Sequence, residues 1–232
     1  MLARFGLYDF FANIIPGIFF LWALGTVLDV SYLKDALPFT GGLAETSVLM
    51  VVGYLTGLLL QGISQLLTER VLIWWWNGFP SARWLLADDP RLSAEYKADL
   101  NAALDRRFKI TLESKPYSDS KDTRIKRAHE VFYRCYRAVE KASDLPQTFN
   151  AQYGLFRGLL TTFLLLTIIS SWLVVRQLCV AGTLEPTPHA FFAIAALVSV
   201  IVCYYRTKTR GEDFAKAVLD VFLVNNGPAS SG

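Results

Sequence analysis

Residues 158–175 read GLLTTFLLLTIISSWLVV, a run without a single charge that is bracketed by Arg157 and Arg176. A helix rises about 1.5 Å per residue, so the two arginines stand roughly 28 Å apart, close to the thickness of bilayer hydrocarbon. Long arginine side chains at those two ends can reach opposite interfaces. This stretch therefore predicts a membrane-crossing helix over about 157–176, and the rest of the chain is read outward from it.

Three further runs have the same character. Residues 10–30 read FFANIIPGIFFLWALGTVLDV, residues 47–67 read SVLMVVGYLTGLLLQGISQLL, and residues 189–205 form a shorter run followed at once by Arg206, Lys208 and Arg210. Four such runs in 232 residues, in a chain that is 53% hydrophobic, leave too little polar surface to cover them in a soluble globule. The first run has only Arg4 before it and no small-residue cleavage site after it, so it is expected to stay as an anchor rather than leave as a signal peptide. The expected fold is an all-α integral membrane protein. It comprises a transmembrane hairpin (1–69), a cytoplasmic helical bundle (70–154), a second hairpin (155–206), and an amphipathic tail with a disordered end (207–232).

Charge sets the expected orientation. Of the 23 Lys and Arg residues, 16 lie between Arg70 and Arg157, four lie in the tail and one is Arg4; only Lys34 and Arg176 fall in the other two connections. Translocating positive charge is disfavoured, so this 21-to-2 division puts both termini and the central segment in the cytoplasm of a bacterial inner membrane. The net charge of +3 is too small to indicate a polyanion partner by itself.

The central segment alternates in a helical rhythm. Ser93 is placed to cap a helix whose apolar stripe is Leu92, Tyr96, Leu100, Leu104 and Phe108. A second helix carries Ile125, His129, Phe132, Tyr136 and Val139 on one face. These two helices are expected to pack against extensions of the second and third spans. Trp74, Trp75, Trp76 and Trp84 suit a membrane interface. Tail residues Phe214, Val218, Val221 and Phe222 share one helical face, which can lie on the membrane or on the bundle.

Residues able to carry chemistry are few. Cys135, Cys179 and Cys203 show no C-x-x-C spacing and are expected as free, mostly buried thiols. Two histidines, His129 and His189, are too few and too far apart for an ordinary metal site, and no cofactor-binding fingerprint is present. Arg124 and His129 stand in an R-x4-H pattern that resembles that of HEPN ribonucleases, in which the Arg and His of two protomers cleave RNA; Ile125 and Lys126 replace the polar residues usual there. They are the candidate catalytic pair, weighed against a helix face with no catalytic role. Arg124, Lys126, Arg127, Arg134 and Arg137 form a candidate ligand- or anion-binding set, weighed against a solvated helix that favours anionic headgroups.

Within the spans, Asn13, Pro16 and Gly17 mark a kink: a gate or an entry turn. Pro16 cannot donate to the carbonyl four residues back. Gly53, Gly57 and Gly62 in the second span, and Gly154 and Gly158 at the start of the third, predict close helix packing. No span carries the string of ionisable groups expected of a proton-coupled transporter.

The segment LYDFFANIIPGIFFL (7–21) resembles the Y-D-F-x5-P-G opening of many small bacterial membrane proteins. PSARWLLADDPRLS (80–93) and FNAQYGLFR (149–157) are similar to segments of uncharacterised bacterial four-span proteins, some of them membrane components of anti-phage defence systems. The resemblance implies a defence membrane subunit and assigns no ligand. Three functions follow as expectations. The first is a non-enzymatic homo-oligomeric effector or sensor that receives a nucleotide or protein signal and perturbs the bilayer. The second is a scaffold recruiting a soluble cytoplasmic partner. The third is a membrane-tethered ribonuclease acting on nucleic acid.

Overall fold

The computed structural model describes residues 6–28, 42–67, 79–112, 120–181 and 187–226, and among them there are helices and no strands. In chain order the elements are α1 (Leu7–Asp9), a π-helical turn (Phe10–Ile14), α2 (Ile15–Val27), α3 (Leu43–Leu67), the short α4 (Pro80–Arg83), α5 (Ala94–Phe108), α6 (Lys121–Val139), α7 (Leu145–Ala181) and α8 (Pro188–Asn226). Four helical stretches, Phe10–Val27, Glu45–Leu67, Leu145–Val180 and Pro188–Asn226, are long and apolar enough to cross a membrane.

The long helices exceed the runs read from hydropathy. At 39 residues α8 is about 58 Å long, nearly twice what a bilayer core needs. Hydropathy ends the fourth span near residue 205 because Arg206, Lys208 and Arg210 follow. Backbone hydrogen bonding is indifferent to that change of solvent, and the helix runs on to Asn226. For the same reason α7 begins at Leu145, thirteen residues before the apolar run.

The chain divides into two compact units. One comprises residues 1–70 and 151–209, the other residues 71–150 and 210–232. The first is built from α1 to α3 and the greater parts of α7 and α8. Its small apolar centre contains Ala23, Val27, Leu166 and Ala196, with Phe20, Phe163, Ile169 and Leu173 around it.

The second unit has a conventional buried core. Leu100, Ala103 and Leu104 of α5 meet Ala128, Phe132, Cys135 and Val139 of α6, and Ala215, Val218, Leu219 and Phe222 from the end of α8 close the cluster. Phe108 stacks on Phe222 with ring centroids 5.7 Å apart, and Phe214 meets Phe132 and Tyr136 edge-on. The tail is thus a partner of the two amphipathic helices, and the first six residues of α7 share their unit, whereas α3 belongs to the first unit. Tyr96 donates to Asp220 at 2.7 Å, a further tie between α5 and α8. Burial, and then the neighbouring Asp220 carboxylate, push this phenol far above its ordinary range.

Helix ends follow local chemistry. The Ser93 hydroxyl accepts the Tyr96 N–H at 3.1 Å and so caps α5, as its position predicts. Ser120 caps α6 through the Thr123 N–H. At the end of α5, Lys109 adopts a left-handed conformation (φ 56°), a position usually filled by glycine.

Candidate functional site

Two groups of residues bring polar chemistry together, one in each unit. In the second unit a cavity of about 380 Å³ opens beside α6. Its charged wall is one face of that helix, with Arg124, Arg127, Glu130 and Arg134 over an apolar floor of Ala128 and Val131. The opposite walls are Leu85 and Leu86 on one side and the strip Ile110–Leu112 on the other.

Both opposite walls are held by specific bonds. The buried Asp89 carboxylate, its side chain 1% exposed, accepts from Arg83 Nε at 2.9 Å and from Arg91 Nη2 at 2.9 Å and Nε at 3.1 Å. It also accepts the Arg91 backbone N–H at 3.0 Å. Burial alone would raise the carboxyl's pKa, but the Arg91 and Arg83 hydrogen bonds outweigh it and hold the group below its ordinary value. Lys97 Nζ donates to the carbonyls of Leu86 at 2.8 Å and Asp89 at 2.6 Å, tying the turn to α5. Asn101 Oδ1 accepts the Leu112 N–H and anchors the other wall.

The basic residues read from sequence are divided by this geometry. Arg124, Arg127 and Arg134 line the cavity. Lys126 is exposed, outside the lining. Arg137 turns along its own helix, donating to Tyr133 Oη at 2.8 Å and lying 5.0 Å from that ring. Arg124 also pairs with Asp88 at 3.0 Å.

Several other expectations change. His129 is exposed, and Ala128 and Cys135 occupy the buried face assigned to it, because the face centres on positions 128, 132, 135 and 139. Five residues of helix separate Arg124 and His129 by about 140° of rotation, so the two diverge within one chain. Trp84 is 7% exposed, packed in the core beneath Arg91, whose guanidinium lies 5.8 Å from the ring; it is no interfacial anchor. Trp74, Trp75 and Trp76 lie outside the described residues. Cys135 and Cys203 are buried but Cys179 is exposed. Burial pushes the Cys135 thiol up to about 12, which leaves it unreactive at neutral pH.

The first unit contains a half-buried polar knot. Gln61 Nε2 donates to the Ala12 carbonyl at 2.7 Å, the oxygen that Pro16 cannot serve, and to the Gly154 carbonyl at 2.9 Å. Its Oε1 accepts from Arg157 Nη2 at 2.6 Å and Nε at 3.0 Å. Arg157 is therefore tied to the second long helix, where the apolar-run reading had it reaching freely to an interface. The kink at Asn13, Pro16 and Gly17 takes the form of the π-helical turn, with helix on both sides. Asn13 Nδ2 donates to Asp9 Oδ1 at 3.4 Å.

Glycines permit this knot. A Cβ on Gly17 would lie 1.9 Å from the Gly53 carbonyl oxygen, and one on Gly57 2.0 Å from that of Asn13. At Gly53 the same atom would meet Ile18. Gly154 and Gly158 lie against Ala12 and Pro16. Gly62 alone of the predicted packing glycines faces open space.

Asp89, Lys97 and Gln61 were not singled out from sequence. Asp89 stands in the D-D-P-R turn between two basic residues, a usable signal. Gln61 offered only its position one turn beyond Gly57. Among the described residues no three His, Cys, Asp or Glu side chains gather as a metal site would require. No protein-family model, curated protein or solved structure matches the chain.

Proposed function

We propose that the chain is a multi-pass protein of a bacterial inner membrane, both termini and the second unit in the cytoplasm, acting as a non-enzymatic, homo-oligomeric sensor or effector. The observation that carries this reading is the arginine-lined cavity, walled by fixed turns, in the polar part of an otherwise lipid-seeking chain. The charge division between connections supports the orientation. Helices α7 and α8 each contribute to both units and are the covalent routes by which an occupied cavity alters the spans. The resemblance to membrane subunits of anti-phage defence fits a protein whose response is to disturb the bilayer.

Orientation is tested with the protein's own thiol. A membrane-impermeant maleimide is expected to label Cys179 in intact spheroplasts; labelling only after lysis reverses the topology. Activity is tested by depolarisation of cells induced to express the chain, expected for the wild type and lost in Arg127→Glu/Arg134→Glu. Cells that keep their potential when the wild type is made and its signal supplied by phage infection overturn the effector reading.

A further inference from the structure

We infer that the cavity beside α6 binds a small phosphate monoester that carries a compact apolar body. The inference deepens the sensor reading and rests on it only for the consequence of binding. A volume of about 380 Å³ lies within the roughly 300–1,000 Å³ usual for small organic ligands, and it is too large for a bare inorganic ion.

The lining divides into a cationic side and an aliphatic side. Arg124 and Arg127 are three residues apart on α6, about 4.5 Å of rise, so both guanidiniums can serve one phosphate. Guanidinium offers planar paired donors that match phosphate oxygens. Glu130 stands three residues beyond Arg127 and four before Arg134, positions at which side chains are neighbours on a helix, and its charge offsets part of both. Arg134 stands seven residues beyond Arg127, about 10.5 Å of rise and too far to share one phosphate with Arg124, so the anion is drawn to the Arg124–Arg127 end. Asp88, which pairs with Arg124 there, is 64% exposed at its side chain and can give way to solvent.

The rest of the ligand meets Leu85, Leu86, Ile110, Leu112 and Val131. Among the described residues none of the lining side chains is aromatic, so the body is held by aliphatic contact and not by base stacking. This chemistry occurs in soluble organic phosphates and in phosphomonoester lipid headgroups alike.

The test uses the full chain in nanodiscs of neutral phosphatidylcholine, titrated calorimetrically with hexyl phosphate, inorganic phosphate and hexanol. Hexyl phosphate is expected to bind, with both fragments weaker by about tenfold or more. Arg127→Ala should weaken it by about tenfold, Arg134→Ala by no more than about threefold, and Glu130→Gln should tighten it. Arg127 and Arg134 are exposed, so these changes leave the core intact, which circular dichroism verifies. Equal affinity for hexanol, or unchanged affinity in Arg127→Ala, overturns the inference. Phosphatidic acid mixed into the nanodiscs supports a lipid headgroup as the source if it displaces hexyl phosphate, and a soluble ligand if it does not. Binding without any change in cell depolarisation leaves the inference standing and removes the sensor function.

Discussion

The two units treat the same kinds of side chain in opposite ways. Around α5 and α6, Phe222, Leu100 and Leu104 are fully enclosed, and polar residues cover them. In the unit of long apolar helices Leu59 is 71% exposed, Trp172 67% and Phe191 66%, while Asn13, Ser64, Thr161 and Thr162 are buried. Among the described residues every large exposed apolar side chain except Tyr133, Leu145 and Val224 belongs to that first unit. An apolar surface of this extent needs an apolar surrounding, and the helices beneath it are then held by close backbone contact and hydrogen bonds. The difference teaches where to look for stability: in side-chain volume in one unit, in backbone approach in the other.

The contrast is broken most severely at Phe222. Phe222→Ala should cost the second unit about 3–5 kcal/mol, read by denaturant unfolding of the full chain in micelles, whereas Phe191→Ala should shift the transition hardly at all. Equal effects would mean that the units do not differ in what holds them. Next is Gly57→Ala. A methyl 2.0 Å from the Asn13 carbonyl oxygen forces the helices apart, and a loss of about 2–3 kcal/mol is expected in thermal stability in detergent. Gly62→Ala meets nothing within 4 Å and should gain up to about 1 kcal/mol from helix propensity.

Acid sharpens the comparison. The Asp89 carboxyl is depressed below 3.8 in the folded unit, so its contribution is complete above the unfolded value and is lost as pH falls through the lower folded value. Unfolding monitored between pH 5 and pH 2 should show the second unit weakening below about pH 4, and Asp89→Asn should remove that slope at a cost of about 2–3 kcal/mol. An effect as small as that at Gly62 is expected at the end of α5. Lys109→Gly relieves a left-handed residue and should stabilise by about 1 kcal/mol in the same unfolding measurement.

Much of this arrangement was legible from residue spacing. The four apolar runs, the Ser93 cap and the stripe of Leu100 and Leu104 follow from periodicity, because each depends on neighbours within a few turns. The Ala12 carbonyl freed by Pro16 was legible too, but not that Gln61 would fill it, since that bond joins residues 49 apart. His129 misled because it sits at the rim of the apolar face, where a shift of one position decides between core and solvent. The cavity was half visible: the arginines are clustered in sequence, while their division into lining and outward residues depends on walls contributed by the turn at Leu85–Leu86 and the strip at Ile110–Leu112.

The closing of the second core by Ala215, Val218, Leu219 and Phe222 also bears on the order in which the protein is made. Its first half leaves the ribosome before α7 and α8 exist, and its last pieces are the final turns of α8, beyond the apolar run that ends near residue 205. Tyr96 waits 124 residues for Asp220. During that interval the stripes of α5 and α6 lack the side chains that cover them, and apolar surface left open in this way is prone to aggregation. A message truncated just after the fourth apolar run, near residue 205, would retain all four runs and still leave its helical unit unfinished.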